Sequence, residues 1–224
     1  MQEKLKSEGK CLFCGKTFAK AGINRHLATH LEEKAITAIS GSSFLVKVET
    51  DKYWGATPYF LSLWIDGDTT MKTIDKFLRD IWLECCGHLS KFHGAGMAKK
   101  AKDVFEKGVR IDYEYDFGST TALTLTVIGE YSIKSDKKIV LLSRNEPPEI
   151  ICSICKKVPA TQICTVCMYD GNAVFCDKCA EKHAEKCGDF SDYASMPIVN
   201  SPRMGVCGYE GGIIDTERDG VFKM

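Results

Sequence analysis

Eight soft metal ligands fall within 36 residues: Cys152, Cys155, Cys164, Cys167, Cys176, Cys179, His183 and Cys187. The run reads C-x2-C, x8, C-x2-C, x8, C-x2-C, x3, H, x3, C. Thiolates and neutral imidazole are the ligands that tetrahedral zinc takes, at about 2.3 and 2.0 Å. Cysteines placed by core packing alone do not recur as three evenly spaced pairs. Eight ligands suffice for two ions. Four protein ligands per ion leave no position for water or substrate, so both sites are expected to be structural.

Two pairings fit the spacing. A sequential one assigns Cys152, Cys155, Cys164 and Cys167 to one ion and the last four ligands to the other. An interleaved one joins Cys152 and Cys155 to Cys176 and Cys179, and Cys164 and Cys167 to His183 and Cys187. Residues 177–186 (DKCAEKHAEK) hold no Gly or Pro and suit a helix. A helix from Cys176 to Cys187 would span about 16 Å, too far for all four ligands to meet at one ion. Helical geometry therefore favours the interleaved pairing. That arrangement resembles MYND-type and B-box-like zinc modules, and the resemblance implies a protein-interaction platform.

A further set stands near the other end. Residues 11–30 read CLFCGKTFAKAGINRHLATH and resemble a C2H2 zinc finger, with Cys11, Cys14, His26 and His30 as ligands. Phe18 and Ile23 would form its small core. Histidines at i and i+4 share one helix face and can meet two thiolates on a β-knuckle. Eleven residues separate Cys14 from His26, where the usual gap is about 12, so base-reading positions do not transfer. With the run above, three Zn2+ ions are expected. No acid lies between positions 9 and 31, whereas Lys10, Lys16, Lys20 and Arg25 do. Lys16, Lys20 and Arg25 are the candidate phosphate contacts to DNA or RNA. A lone finger reads only about 3 base pairs, and Ala19, Ala21 and Gly22 stand where long polar side chains would be wanted.

The elements that position these ligands follow from the pattern between them. Residues 44–49 and 59–65 alternate as strands. Met71, Ile74, Phe77, Leu78, Ile81, Trp82 and Cys85 recur at helical spacing, predicting a helix over 70–85 after the Thr70 cap. Residues 89–92, 109–117, 120–132 and 138–143 read as further strands, and residues 97–107 as a loop or short helix. Asn145–Glu149 (NEPPE) is a linker by its proline pair. The expected fold class is α+β: an antiparallel sheet packed with one main helix, flanked by small zinc-binding modules. The expected segments are a finger and linker over 1–40, a core over 41–146, a two-zinc module over 147–190 and a tail over 191–224.

The strings IDGDTTMKTIDKFLRDIWLECCGHLSKF (65–92) and YEYDFGSTTALTLTV (113–127) resemble the plasmid pRi ORF-three-like family, also called insertion-element passenger proteins. NSPRMGVCGYEG (200–211) resembles the C-terminal part of relatives. The resemblance implies an α+β core and carries no activity. A serine-resolvase reading would need clustered arginines. Only Arg79, Arg110 and Arg144 occur in the core, well separated in sequence.

Other candidate chemistry is sparse. Asp112, Glu114 and Asp116 alternate along one strand and could hold a divalent cation, with Asp66 and Asp68 as further acids. This is the alternative, enzymatic reading: metal-dependent action on nucleic acid. A solvated strand face explains the same pattern. Cys85, Cys86, His88 and His93 match no zinc spacing and read as core packing, and Cys207 as a packed thiol. No phosphate loop, dinucleotide fingerprint or H-E-x-x-H helix is present. No catalytic residue is assigned.

The chain has 224 residues, with 30 basic and 30 acidic side chains. No global field steers it to nucleic acid or an anionic membrane. No apolar run reaches the ~20 residues of a membrane span. The start MQEKLKSEGK is polar and has no apolar stretch, so no secretory leader is expected. With 12 cysteines, a cytoplasmic protein with metal-bound thiols is expected. The leading expectation is a non-enzymatic binding protein, engaging DNA or RNA through the finger or a protein partner through residues 152–187. A pure protein-interaction adaptor is the third reading.

Overall fold

Alternating β-branched and aromatic residues make the middle of the chain a sheet, and short cysteine-rich loops bracket it. The computed structural model describes residues 7–36, 39–50, 57–171 and 173–214. The outer ends of the expected finger and tail, 1–6 and 215–224, lie outside the described residues. The chain divides into two compact units, 1–79 with 88–146, and 80–87 with 147–224.

The first unit opens with a hairpin, β1 (Glu8–Lys10) and β2 (Thr17–Ala19), that runs into helix α1 (Lys20–Ala35). Strands β3 (Ser40–Thr50) and β4 (Phe60–Asp66) follow, then helix α2 (Met71–Leu78). Strands β5 (Ser90–Phe92), β6 (Arg110–Tyr115), β7 (Thr121–Ile133) and β8 (Ile139–Arg144) complete the unit. Six strands form one antiparallel sheet in the order β5-β6-β7-β3-β4-β8. The Lys-rich stretch contributes one 3-10 turn, Ala101–Asp103.

All seven residues of β4 are buried, because both faces of the sheet are covered. On one face Leu45, Phe60, Trp64, Ile133 and Leu142 share a core with Ile23, Leu27 and Leu31 of α1. Burial of those three α1 side chains is worth at most roughly 5–9 kcal/mol, at about 1.5–3 kcal/mol each. Asn24 fixes the register of α1 by accepting a 2.8 Å bond from the buried Ser62 hydroxyl. On the other face α2 buries Met71, Ile74 and Leu78, and Tyr113 of β6 donates to the Asp75 carboxylate at 2.7 Å. The expected core helix is therefore α2, and the helix of the finger covers the opposite face.

The Thr70 hydroxyl caps α2 by accepting from the Thr73 N–H. The helix predicted over 70–85 keeps α geometry only to Leu78 and widens into a π turn over Arg79–Leu83. The second unit takes residues 80–87 from this turn onward. Ser201 donates to the Trp82 carbonyl at 2.7 Å, and the Ile214 N–H to the Asp80 carbonyl at 3.1 Å. Gly212 has no room for a side chain there: a Cβ would lie 2.4 Å from the Ile81 oxygen.

The rest of the second unit is small. Strands β9 (Gln162–Cys164), β10 (Val174–Phe175) and β11 (Ser195–Pro197) pair in the order β10-β9-β11. Helix α3 (Asp177–Ala184) follows β10. Two minor clusters fill the interior, one around Phe175, Ala180 and Phe190, the other around Ile163, Ala173 and Met196. Cores of this size rarely hold a fold without staples.

Candidate metal centres

Among the described residues, four groups of cysteine and histidine bring one ligand atom each to within 4.8 Å of one another. Each could hold a metal ion. Tetrahedral bonds of about 2.3 Å to sulfur and 2.0 Å to nitrogen imply ligand separations of about 3.8 Å between sulfurs and 3.3–3.5 Å when nitrogen is involved. That is the yardstick for the contacts below.

The first group is Cys11, Cys14, His26 and His30. The knuckle between β1 and β2 forms because the Cys11 N–H bonds the Lys16 carbonyl and Gly15 turns back to the Cys11 carbonyl with φ 73°. Helix α1 then presents His26 and His30 one turn apart. Cys14 Sγ and His26 Nε2 are 3.2 Å apart, as are the two histidine Nε2 atoms. Phe18 stacks on His26 at 4.0 Å and fixes its ring. Burial, then the neighbouring His30 and Lys16, hold His26 below its usual pKa, which favours the neutral imidazole that ligates. Burial pushes the Cys11 thiol up, so a cation must drive its deprotonation.

The second and third groups follow the interleaved pairing. Cys152, Cys155, Cys176 and Cys179 come together, and so do Cys164, Cys167, His183 and Cys187. In the former, Cys155 and Cys176 sulfurs lie 4.0 Å apart. Cys152 and Cys155 sit on a knuckle closed by Cys152 N–H to Val158 O and Lys156 N–H to Cys152 O. Cys176 stands at the N-cap of α3 and Cys179 in its first turn. Burial works against the Cys152 thiolate, but backbone N–H groups at Cys155, Cys176 and Ile154 outweigh it and bring the pKa to about 6. Burial and the Cys176 and Cys152 sulfurs push Cys179 up to about 12.

In the latter group, α3 supplies His183 and its C-terminal extension Cys187. His183 stacks on Phe175 at 4.2 Å and meets Phe190 at 5.0 Å. Its Nε2 is buried with no hydrogen-bond partner. A buried ring nitrogen in that position is costly unless a metal takes its lone pair. Burial, then Cys164 and Cys187, push Cys167 up to about 12. Crowded thiols of this kind resist ionisation until a cation arrives.

The cysteines of the fourth group, Cys85, Cys86 and Cys207, lie outside every spacing read from the sequence. The core-packing reading fails for Cys86 and Cys207: both are exposed. Cys86 lies 3.7 Å from Cys85 and 3.8 Å from Cys207, sulfur to sulfur. Cys85, then burial and Cys207, push the Cys86 thiol up to about 11. His93 stays outside the group and pairs with Glu114 at 3.2 Å.

The acidic stripe does not gather. Strand β6 ends at Tyr115, and Asp116 turns off it with φ 63° and is buried. Its carboxylate accepts from the Gly118 and Ser119 N–H groups. Glu114 is paired with Lys91 and His93, and Asp112 accepts from Thr124. Asp68 is paired with Lys100 and Lys102, whose ammonium groups hold it down at about 2. Among the described residues none of these acids joins a metal-holding group.

The three basic residues of the finger differ in availability. Lys20 bonds Glu49 of β3 at 2.9 Å and the Thr57 carbonyl at 3.3 Å. Lys16 and Arg25 are exposed. The exposed positions of α1 include Ala21, Gly22, Arg25, Thr29, Glu32 and Glu33, short or acidic for the most part. No helix among the described residues is long and apolar enough to cross a membrane.

No family model matches the chain, and no curated protein matches it. Among solved structures, it is similar to the crystal structure of a protein of unknown function from Methanosarcina mazei Go1. The identity is 16%, over 47% of this chain and 68% of that one, with a TM-score of 0.37.

Proposed function

We propose that this is a non-enzymatic, zinc-ordered binding protein whose cysteine-rich module engages a protein partner. The observation that carries the reading is an apolar surface on one zinc knuckle. Ile151, Ile154 and Val158 are 39%, 56% and 45% exposed within eight residues, on the loop that carries Cys152 and Cys155. Solvent-facing apolar side chains grouped on one loop suit a contact site. Zinc's part is to hold that loop in shape where the small core cannot. Thiolate-rich sets of four select zinc over harder cations. Cytoplasmic placement belongs to the proposal, since metal-bound thiols persist in a reducing compartment. So does the relation of the sheet unit to the plasmid pRi ORF-three-like family.

Nucleic-acid binding is the second reading, supported by exposed Lys16 and Arg25. The short and acidic exposed positions of α1 and the engagement of Lys20 count against it. One experiment separates the two. Partners are enriched on immobilised zinc-loaded protein and on an Ile154→Ser/Val158→Ser variant, from extract of the source cell. In parallel, DNA and RNA anisotropy is followed across a salt series. A partner held by the parent and lost from the variant supports the protein reading. Salt-sensitive nucleic-acid binding weakened by Lys16→Ala/Arg25→Ala, with no such partner, overturns it.

A further inference from the structure

Cys85 and Cys86 are adjacent in the chain, and Cys207 is 121 residues from Cys86. All three belong to the second unit. Their 3.7 and 3.8 Å sulfur separations match the edge of a tetrahedron with ~2.3 Å metal–sulfur bonds, about 3.8 Å. Gly87, with φ 83°, turns the chain directly after Cys86.

The surroundings of these ligands are those of a built site. Arg203 is fully buried and points its Nη2 at the Cys85 sulfur, 3.4 Å away. A guanidinium at that distance stabilises a thiolate over a thiol. Cys207 adopts φ 52° between Gly205 at 76° and Gly208 at 66°. A side chain in left-handed backbone is strained and persists where its position is needed.

We propose that Cys85, Cys86 and Cys207, all within the second unit, hold a fourth zinc ion, with water completing its coordination. Three thiolates and Zn2+ sum to one negative charge, and the Arg203 guanidinium lies beside it. The ion staples the Cys85–Cys86 turn to the Arg203–Gly208 loop. It is also the most exchangeable of the four, because this group alone has no buried ligand.

The test uses the full chain. Zinc per chain is counted by plasma mass spectrometry for the parent, Cys207→Ser and Cys207→His. Cys14→Ser, Cys155→Ser and Cys187→Ser run beside them and report the other three groups separately. The expected counts are one ion fewer in Cys207→Ser than in the parent, restored in Cys207→His, which can still ligate. An unchanged count in Cys207→Ser overturns the site, whatever the other three variants show. Alkylation of the unmutated protein gives an answer that needs no variant. Zinc-loaded protein is treated with a maleimide before and after brief exposure to a chelator, and labelled cysteines are mapped. Cys86 and Cys207 should label at least tenfold faster after chelation, ahead of Cys155 and Cys187. Immediate labelling of Cys86 and Cys207 in zinc-loaded protein overturns the proposal.

Discussion

Single side chains decide how firmly α1 is seated. The Asn24 carbonyl oxygen is the acceptor for a buried Ser62 hydroxyl, so its removal leaves a donor unsatisfied. Asn24→Ala should cost about 1–3 kcal/mol, read from the urea midpoint of the zinc-loaded protein. Tyrosines give a second residue-scale prediction. Burial pushes Tyr59 up to about 12, against a smaller opposing effect of Arg144. Burial, then Glu32, pushes Tyr131 up to about 12. Burial and the Asp75 carboxylate push Tyr113 in the same direction. A phenol with a raised folded pKa keeps its proton longer in the folded state. Its stabilising contribution is complete below pH 10 and is lost as pH rises towards 12. Alkaline titration of phenolate absorbance should show one class ionising near 10 and a late class that appears only with unfolding near 12. A single class near 10 would mean these rings are not packed as described.

At the level of elements, the β1–β2 hairpin closes the β8 end of the sheet. Leu12 N–H bonds the Leu142 carbonyl at 3.0 Å, and Glu146 N–H bonds the Glu8 carbonyl at 2.8 Å. A covered edge is protected from pairing with another chain. Gly9 makes that approach possible: a Cβ there would lie 2.6 Å from the Arg144 oxygen and 2.7 Å from the Phe60 ring. Gly9→Ala should therefore destabilise by about 1–3 kcal/mol through overpacking. It should also speed hydrogen exchange at Leu12 and Glu146, measured by mass spectrometry. In the second unit the corresponding device is α3. Its first turn serves one candidate centre and its last turn the other, so the helix links the two.

At the level of the whole molecule, the finger is part of a unit rather than a bead on a string. Ile23, Leu27 and Leu31 of α1 lie in the same core as Leu45, Trp64 and Leu142 of the sheet. Loss of the first metal group should then weaken the sheet as well. Cys14→Ser should lower the denaturant midpoint of Trp64 fluorescence and of finger helicity together. Two separate transitions, with the Trp64 signal unmoved, would mean that the finger folds on its own. The second unit draws residues 80–87 out of the middle of the sequence, so a cut placed at the NEPPE linker alone would leave it without the Cys85–Cys86 turn.

The sequence by itself marked the three regularly spaced sets of ligands, the strands of the six-stranded sheet and the core helix as far as Leu78; it left two pairings open over 152–187 and did not mark β9, β10 or β11. Metal ligation is a local constraint: C-x2-C pairs and i, i+4 helical ligands must sit at fixed offsets along the chain. Alternation marks strands in the same direct way. Only tertiary structure decided the rest. The fourth group brings Cys85 and Cys86 to Cys207, and neither piece carries a spacing of its own. The alternation that set Asp116 beside Glu114 continued past the true end of β6, where the backbone turns left-handed. Lys20 reads as an available cation until β3 places Glu49 against it. The helix of the finger reads as a small amphipathic helix, and nothing local says that its apolar face closes a six-stranded sheet. Each of these depends on which distant segments fold against one another, and periodicity in one segment cannot encode that.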